Sequence, residues 1–205
     1  MFTGIFEPAF LQAASQHKKE EPILVPHILI HVNRNMTKTP YICGNDIEIW
    51  TKHNGEKMVY SLPGNSDYKI ANIQADADTD IIILGGITLI QWEGYTNAAT
   101  IFDASKAPDT FVTVEGGSGL DVAEVIKVSA SLTAIDGTWG VNTLKVLQCP
   151  ANQQYVTKYF KDNMEIAAAT PEGGTLYIDE NAQYASGLIA AAQARNWTVL
   201  PLPEG

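Results

Sequence analysis

The feature that most constrains the fold is a spacing. From residue 87 onward an apolar-x-x-apolar frame recurs, at Ile87/Ile90, Ala99/Phe102, Phe111/Val114, Val122/Val125, Leu132/Ile135 and Leu144/Leu147. Successive frames start 12, 12, 11, 10 and 12 residues apart. A helix repeats its apolar face every 3.6 residues and a strand every 2, so this period belongs to neither alone. It fits a short strand plus a loop, restarted each time. Two such units make a coil of about 22–24 residues, which cannot bury its apolar side alone and must stack on its neighbours. The spacing predicts parallel strands near 100–103, 112–115, 125–128, 133–136 and 145–148, with Leu144 and Leu147 pointing inward.

The segments on either side read differently. Residues 1–22 form an arm: Ile5, Phe6, Phe10, Leu11 and Ala14 recur near helical spacing, and Pro8 is tolerated in a first turn. Residues 23–86 read as β-rich. "ILVPHILIHV" (23–32) is β-branched, with Pro26 marking an edge strand or a break. "DIEIWTKHNGEKMVYSLP" is a hairpin closed by Asn54-Gly55, with Ile47, Ile49, Thr51, Val59 and Ser61 on one side. "YKIANIQAD" and "DIIILGG" read as two further strands. At the other end, "GTLYIDE" is a strand opened by a Gly-Gly turn, "NAQYASGLIAAAQARN" a helix with Asn181 as N-cap, and "WTVLPL" a strand. This β-α-β unit calls for parallel strands and would close the ladder. The expected fold is therefore mainly β with some α: arm 1–22, β-rich region 23–86, and a β-solenoid with its β-α-β cap over 87–205.

One stretch carries a family resemblance. In "LTAIDGTWGVNTLKVLQCPANQ" (132–153), Leu132-x-x-Ile135-Asp136 is followed by Leu144-x-x-Leu147-x-Cys149-x-x-Asn152. This alternation of L-T-x-L-D with L-x-x-L-x-C-x-x-N resembles the repeat of short leucine-rich-repeat proteins of gut Bacteroidetes and their tailed bacteriophages. "DYKIANIQADADTDIIILGGIT", "ATIFDAS" and "GTLYIDENAQYASGLIAAAQARNWTVL" resemble the lead-in strands, a degenerate L-T-x-L-D half and the closing unit. The similarity spans roughly residues 68–200; Gly116, Gly119 and Ala130 depart from the Asn or Cys of the pattern. The resemblance implies a leucine-rich-repeat-like solenoid used in adhesion or assembly.

Charge narrows the partners. Residues 1–60 hold six Lys/Arg and six Asp/Glu, whereas residues 61–205 hold seven and 17, so the whole net charge of −10 lies in the second part. An acidic body of this kind does not suit a nucleic-acid backbone, which needs clustered Lys and Arg. With 45% hydrophobic residues the chain can bury a core, yet no run approaches the roughly 18 apolar residues of a membrane span. Residues 1–20 carry neither a basic n-region nor an apolar h-region, so signal-directed export is not expected.

Motifs for chemistry are weak. "DADTD" sets Asp76, Asp78 and Asp80 along one side of a strand, but Ile81 and Ile87 stand where a calcium loop needs Gly and Glu. It reads as a solvated acidic strand start. His27 and His31 on a strand would stand about 13 Å apart, too far to share a metal. "EGGSG" (115–119) lacks the Lys-Ser/Thr of a phosphate loop and reads as a turn. Cys43 and Cys149 read as buried or half-buried thiols; two cysteines permit one disulfide, but nothing demands it. No metal, cofactor or catalytic residue is expected.

The expected role is non-enzymatic. Trp and Tyr dominate binding hot spots and exposed apolar patches mark association sites; the candidate binding residues are Trp139, Tyr155 and Tyr159 of the ladder, with Phe6, Phe10 and Leu11 of the arm. The leading reading is a bacteriophage virion component, such as a head decoration protein, fibre or tail-associated adaptor. It would assemble in the host cytoplasm through its N-terminal region, on virion proteins or on copies of itself, as a homo-oligomer or part of a larger assembly. The alternative is a bacterial cell-surface or periplasmic leucine-rich-repeat adhesion protein. Neither reading involves nucleic acid or membrane insertion.

Overall fold

A computed structural model describes residues 25–35, 40–69, 73–92, 99–116, 122–135, 143–166 and 171–203. The expected arm, residues 1–22, lies outside them. Within the described residues the chain is mainly β with two helices, and its strands form one mixed sheet. Strands β1 (His27–Val32), β2 (Tyr41–His53), β3 (Glu56–Lys69) and β4 (Thr79–Gln91) come first, then β5 (Ala99–Asp103), β6 (Thr113–Glu115), β7 (Val125–Lys127), β8 (Ala134–Ile135) and β9 (Val146–Cys149). Helix α1 (Gln154–Glu165), β10 (Thr175–Ile178), α2 (Ala185–Ala194) and β11 (Thr198–Pro201) complete the order.

The first part is antiparallel. Strands β2 and β3 form the hairpin, and Asn54 and Gly55 take the positive φ angles, 54° and 77°, that its tight turn requires. Its buried side is Ile47, Ile49 and Thr51 on β2, opposite Leu62, Tyr60 and Met58 on β3. Val59 and Ser61 pair with Trp50 and Glu48 and face the other way, so the expected phase of β3 is off by one. Directly paired residues share a face, and a shift of one residue reverses it. Pro26 ends the chain entry to β1, but β1 is not an edge: it is flanked by β4 and β5, antiparallel to both. Among the described residues of 68–76, no separate strand is found. Residues 68 and 69 end β3, and between Ile73 and Asp76 only an isolated bridge forms, at Ala75.

Strand β4 turns the chain from one arrangement to the other. Its first half pairs with β1, and its end pairs with β6 in parallel. The change falls at Gly85-Gly86, where the β2–β4 register also breaks between Asn45 and Glu48. Gly85 has φ +103°, and a Cβ there would sit 2.4 Å from the Asp46 carbonyl oxygen. Only glycine fits that crossing. The expected boundary at 86/87 thus lies inside a strand.

Beyond the kink the pairing is parallel in two rows. One runs β5, β7, β9, β10, β11; the other runs from the end of β4 through β6 to β8. Phe102, Ile126, Leu147 and Leu176 stack on the inner side of the first row, and Ile90, Val114 and Ile135 on that of the second. Trp92 meets Phe102 edge-on across the interior, with ring centroids 6.4 Å apart. The frame expected at Val122/Val125 is shifted: Ala123 and Ile126 are buried and the two valines are half-exposed. The other frames bury their first residue, and Leu144 and Leu147 do point inward.

Polar side chains tie successive strand-loop segments together. Thr110 donates to the Ile87 carbonyl at 2.8 Å, Thr133 to Val112 at 3.2 Å and Thr143 to Ala123 at 2.9 Å. Asn152 donates to the Ala130 carbonyl at 3.0 Å. Each bond runs from a side chain to a backbone carbonyl about 20 residues earlier in the chain.

Helix α1 was not expected. It packs beside β8, and α2 packs beside α1, so helices take over where the second row of strands stops. Val156, Phe160 and Met164, at four-residue spacing, form its buried stripe. Helix α2 starts at Ala185 rather than after Asn181, and no side chain caps it; the Asn181 amide instead donates to Asp179 at 3.0 Å. Strand β11 is parallel to β10.

Candidate functional site

The candidate binding residues are dispersed. Phe6, Phe10, Leu11 and Trp139 lie outside the described residues. Tyr155 and Tyr159 are one turn apart on α1, but their roles differ. Tyr155 is the most exposed large apolar residue described, at 76%. Tyr159 is half-buried, edge-on to Phe160 at 5.4 Å, and packs against the core. Trp92, Phe102 and Phe160 are core. Ile166, 56% exposed, follows the last residue of α1 and lies 11 positions from Tyr155, three helical turns along the same side. Between them run Lys158, which pairs with Asp162, and Lys161, which donates to Glu165 at 2.6 Å. That hydrogen bond, accepted by the Glu165 carboxylate, raises the pKa of Lys161. The outer side of α1 is thus an ion-paired strip with an apolar residue at each end.

A second surface lies on the outward side of the first row of strands. Because the pairing is in register, Leu29, Asp103, Lys127, Gln148, Tyr177 and Leu200 form one line across six strands. At its β1 end the line lies in a recess of about 430 Å3. Asp103 is its centre. Lys127 donates to one carboxylate oxygen at 2.6 Å, and the Ser105 hydroxyl and amide donate to the other at 2.6 and 3.0 Å. Burial pushes the Asp103 carboxyl up, but the hydrogen bonds from Lys127 and Ser105 outweigh it and hold the group below its ordinary value. His27 gives its Nδ1 to the Val25 carbonyl at 2.8 Å, so Nε2 is the nitrogen left for the recess. Lys106 and Gln148, which also line it, have no side-chain partner among the described residues. Sequence reasoning missed this cluster: its members come from four strands, and only the register aligns them.

The acidic motif separates into individual roles. Asp76 accepts from the amides of Asn54 and Gly55 at 3.0 and 2.9 Å, clamping the hairpin tip. Those bonds, Gly55 first, lower its pKa. Asp78 sits in a turn at φ +53°, and Asp80 bonds His31 at 2.8 Å. The three therefore do not share a strand face. Among the described residues no group of three His, Cys, Asp or Glu could hold a metal ion, and no helix is long and apolar enough to cross a membrane.

Neither a protein-family model, nor a curated protein, nor a solved structure matches the chain.

Proposed function

We propose that the chain is a non-enzymatic structural and interaction protein, a bacteriophage virion component that assembles through its N-terminal region. On this reading, residues 87–205 are a worn leucine-rich-repeat-like solenoid and β10-α2-β11 is its closing unit. The observation that carries the reading is the use made of the phrase Leu144-x-x-Leu147-x-Cys149-x-x-Asn152. Leu144, Leu147 and Cys149 are buried in the stack, and Asn152 donates one coil back to Ala130. All four pattern residues of the phrase serve stacking. Charge supplies the orientation. Residues 1–60 sum to zero and the rest carry −10, so the first segment can approach an acidic partner that the body would repel. Phe6, Phe10 and Leu11 supply the apolar anchor, and large exposed apolar patches mark association sites.

Deleting residues 1–19 tests this directly. The expected result is unchanged circular dichroism together with loss of self-assembly or of capture by co-expressed capsid proteins. A truncated protein that unfolds would make the arm part of the core. One that folds and still assembles would move the interface to the ladder, with the Tyr155–Ile166 side of α1 as the next surface to alter.

A further inference from the structure

The geometry points to a binding site for a carboxylate-bearing ligand in the recess between β1, β5, β7 and β9, a role beyond assembly. The donors and acceptors in it are unequal. Asp103, the one carboxylate among its described lining residues, is occupied: one oxygen takes two bonds from Ser105 and the other takes Lys127. An ammonium has three N–H groups, and Lys127 has given only one of them to a described partner. Lys106 and the amide of Gln148 have given none. These unused N–H groups outnumber the acceptors left in the described lining, the Gln148 side-chain oxygen and His27 Nε2, so a ligand entering here is held best through acceptors of its own. Among the described lining residues, two lysines face one aspartate, a local positive excess inside a body that carries −10. A cation meets two ammonium groups, and a neutral polyol leaves the excess charge unanswered. A carboxylate answers both needs, because charge-assisted bonds from Lys to an oxyanion are stronger than neutral ones.

The size and the walls agree. Leu29 to Gln148 spans three strand-to-strand steps, about 14 Å, and the volume is about 430 Å3. Leu29 and Pro203 give apolar wall for a carbon skeleton. A small organic acid or the acid-bearing sugar of a glycan would both fit, since each presents the same group. The site faces outward on the row of strands and is argued from described residues alone, so it stands or falls separately from the assembly reading.

The test is isothermal titration of the full chain with sodium glucuronate, succinate, acetate and glucose. Saturable binding of glucuronate but not of succinate or acetate identifies an acidic sugar. Binding of succinate or acetate as tight as that of glucuronate identifies a free organic acid; either result supports the site. Lys106 is exposed, so Lys106→Glu leaves the fold intact, and it should weaken the bound acid roughly tenfold or more with unchanged circular dichroism. Gln148→Ala should weaken it less. Glucose binding as tightly as glucuronate, no saturable binding of any acid, or full affinity in Lys106→Glu would each overturn the proposal.

Discussion

Leu147 shows how much one residue can carry. It is fully buried, between Ile126 and Leu176 of the neighbouring strands. Replacing it with Ala removes the apolar contact and leaves a cavity that a registered stack cannot close by shifting. The expected cost is about 2–5 kcal/mol, read as a lower denaturant midpoint at unchanged slope. Cys149, two positions on, is buried too, and burial pushes its thiol up to about 11 from an ordinary 9.0. Thiolate is the reactive form, so iodoacetamide at pH 8 should leave Cys149 unmodified in the native protein and alkylate it in denaturant. Asp103 behaves in the opposite sense. Its folded-state pKa is depressed, so its contribution to stability is in place above the ordinary value of 3.8 and is lost as pH falls through the folded value. Asp103→Asn should therefore lower stability at neutral pH and flatten the acid limb of the stability curve; an unchanged acid limb would detach the carboxyl from the fold.

At the scale of elements, the glycines at the strand ends decide where strands can run. Gly116 follows β6 at φ +66°, and a Cβ there would lie 2.2 Å from the Trp92 carbonyl oxygen. The neighbouring Trp92 amide donates to Glu115 at 2.9 Å, holding β4 and β6 together at that point. Gly116→Ala must both strain the backbone and push the two strands apart, so a loss of about 1–3 kcal/mol is expected. Gly55→Ala keeps the positive φ but meets nothing within 4 Å, and should cost less than Gly116→Ala. Comparing the two thermal midpoints separates crowding from backbone preference. Helix α1 gains little from its surface ion pairs, about 0.2–0.5 kcal/mol each. It is held by Val156, Phe160 and Met164 against the core.

For the whole molecule, the sheet is continuous from β3 to β11, and one buried cluster runs from Ile28 to Trp197. The antiparallel and parallel parts share β4 and β5, which both pair antiparallel with β1 and in parallel with β6 and β7 respectively. Neither part can unfold without exposing the other's strand edge and core, and an exposed edge invites misassociation. Equilibrium unfolding should therefore be a single transition, coincident by tryptophan fluorescence and far-ultraviolet circular dichroism. Fragments divided at 86/87 should not fold separately, because the cut falls within β4. Two resolved transitions would mean that the two parts are independent units.

Much of the strand plan was legible in the chain itself. The 12-residue frame located β5, β6, β7, β8 and β9, and Asn54-Gly55 located the hairpin, because apolar spacing and turn chemistry act over a few neighbouring residues. Phase was less secure where candidates adjoined: Val122-Ala123 and Val125-Ile126 offer two frames, and only packing against Phe102 and Leu147 chose Ala123 and Ile126. The four-residue stripe Val156, Phe160, Met164 could have revealed α1, but the strand period masked it. Pairing across long separations was decided by the tertiary structure alone. That β1 lies between β4 and β5, and that Asp103, Lys127 and Gln148 share one line, depends on register between segments more than 20 residues apart. No local property of the chain encodes such a register, because it is set only when the inner sides of the coils close on a common core.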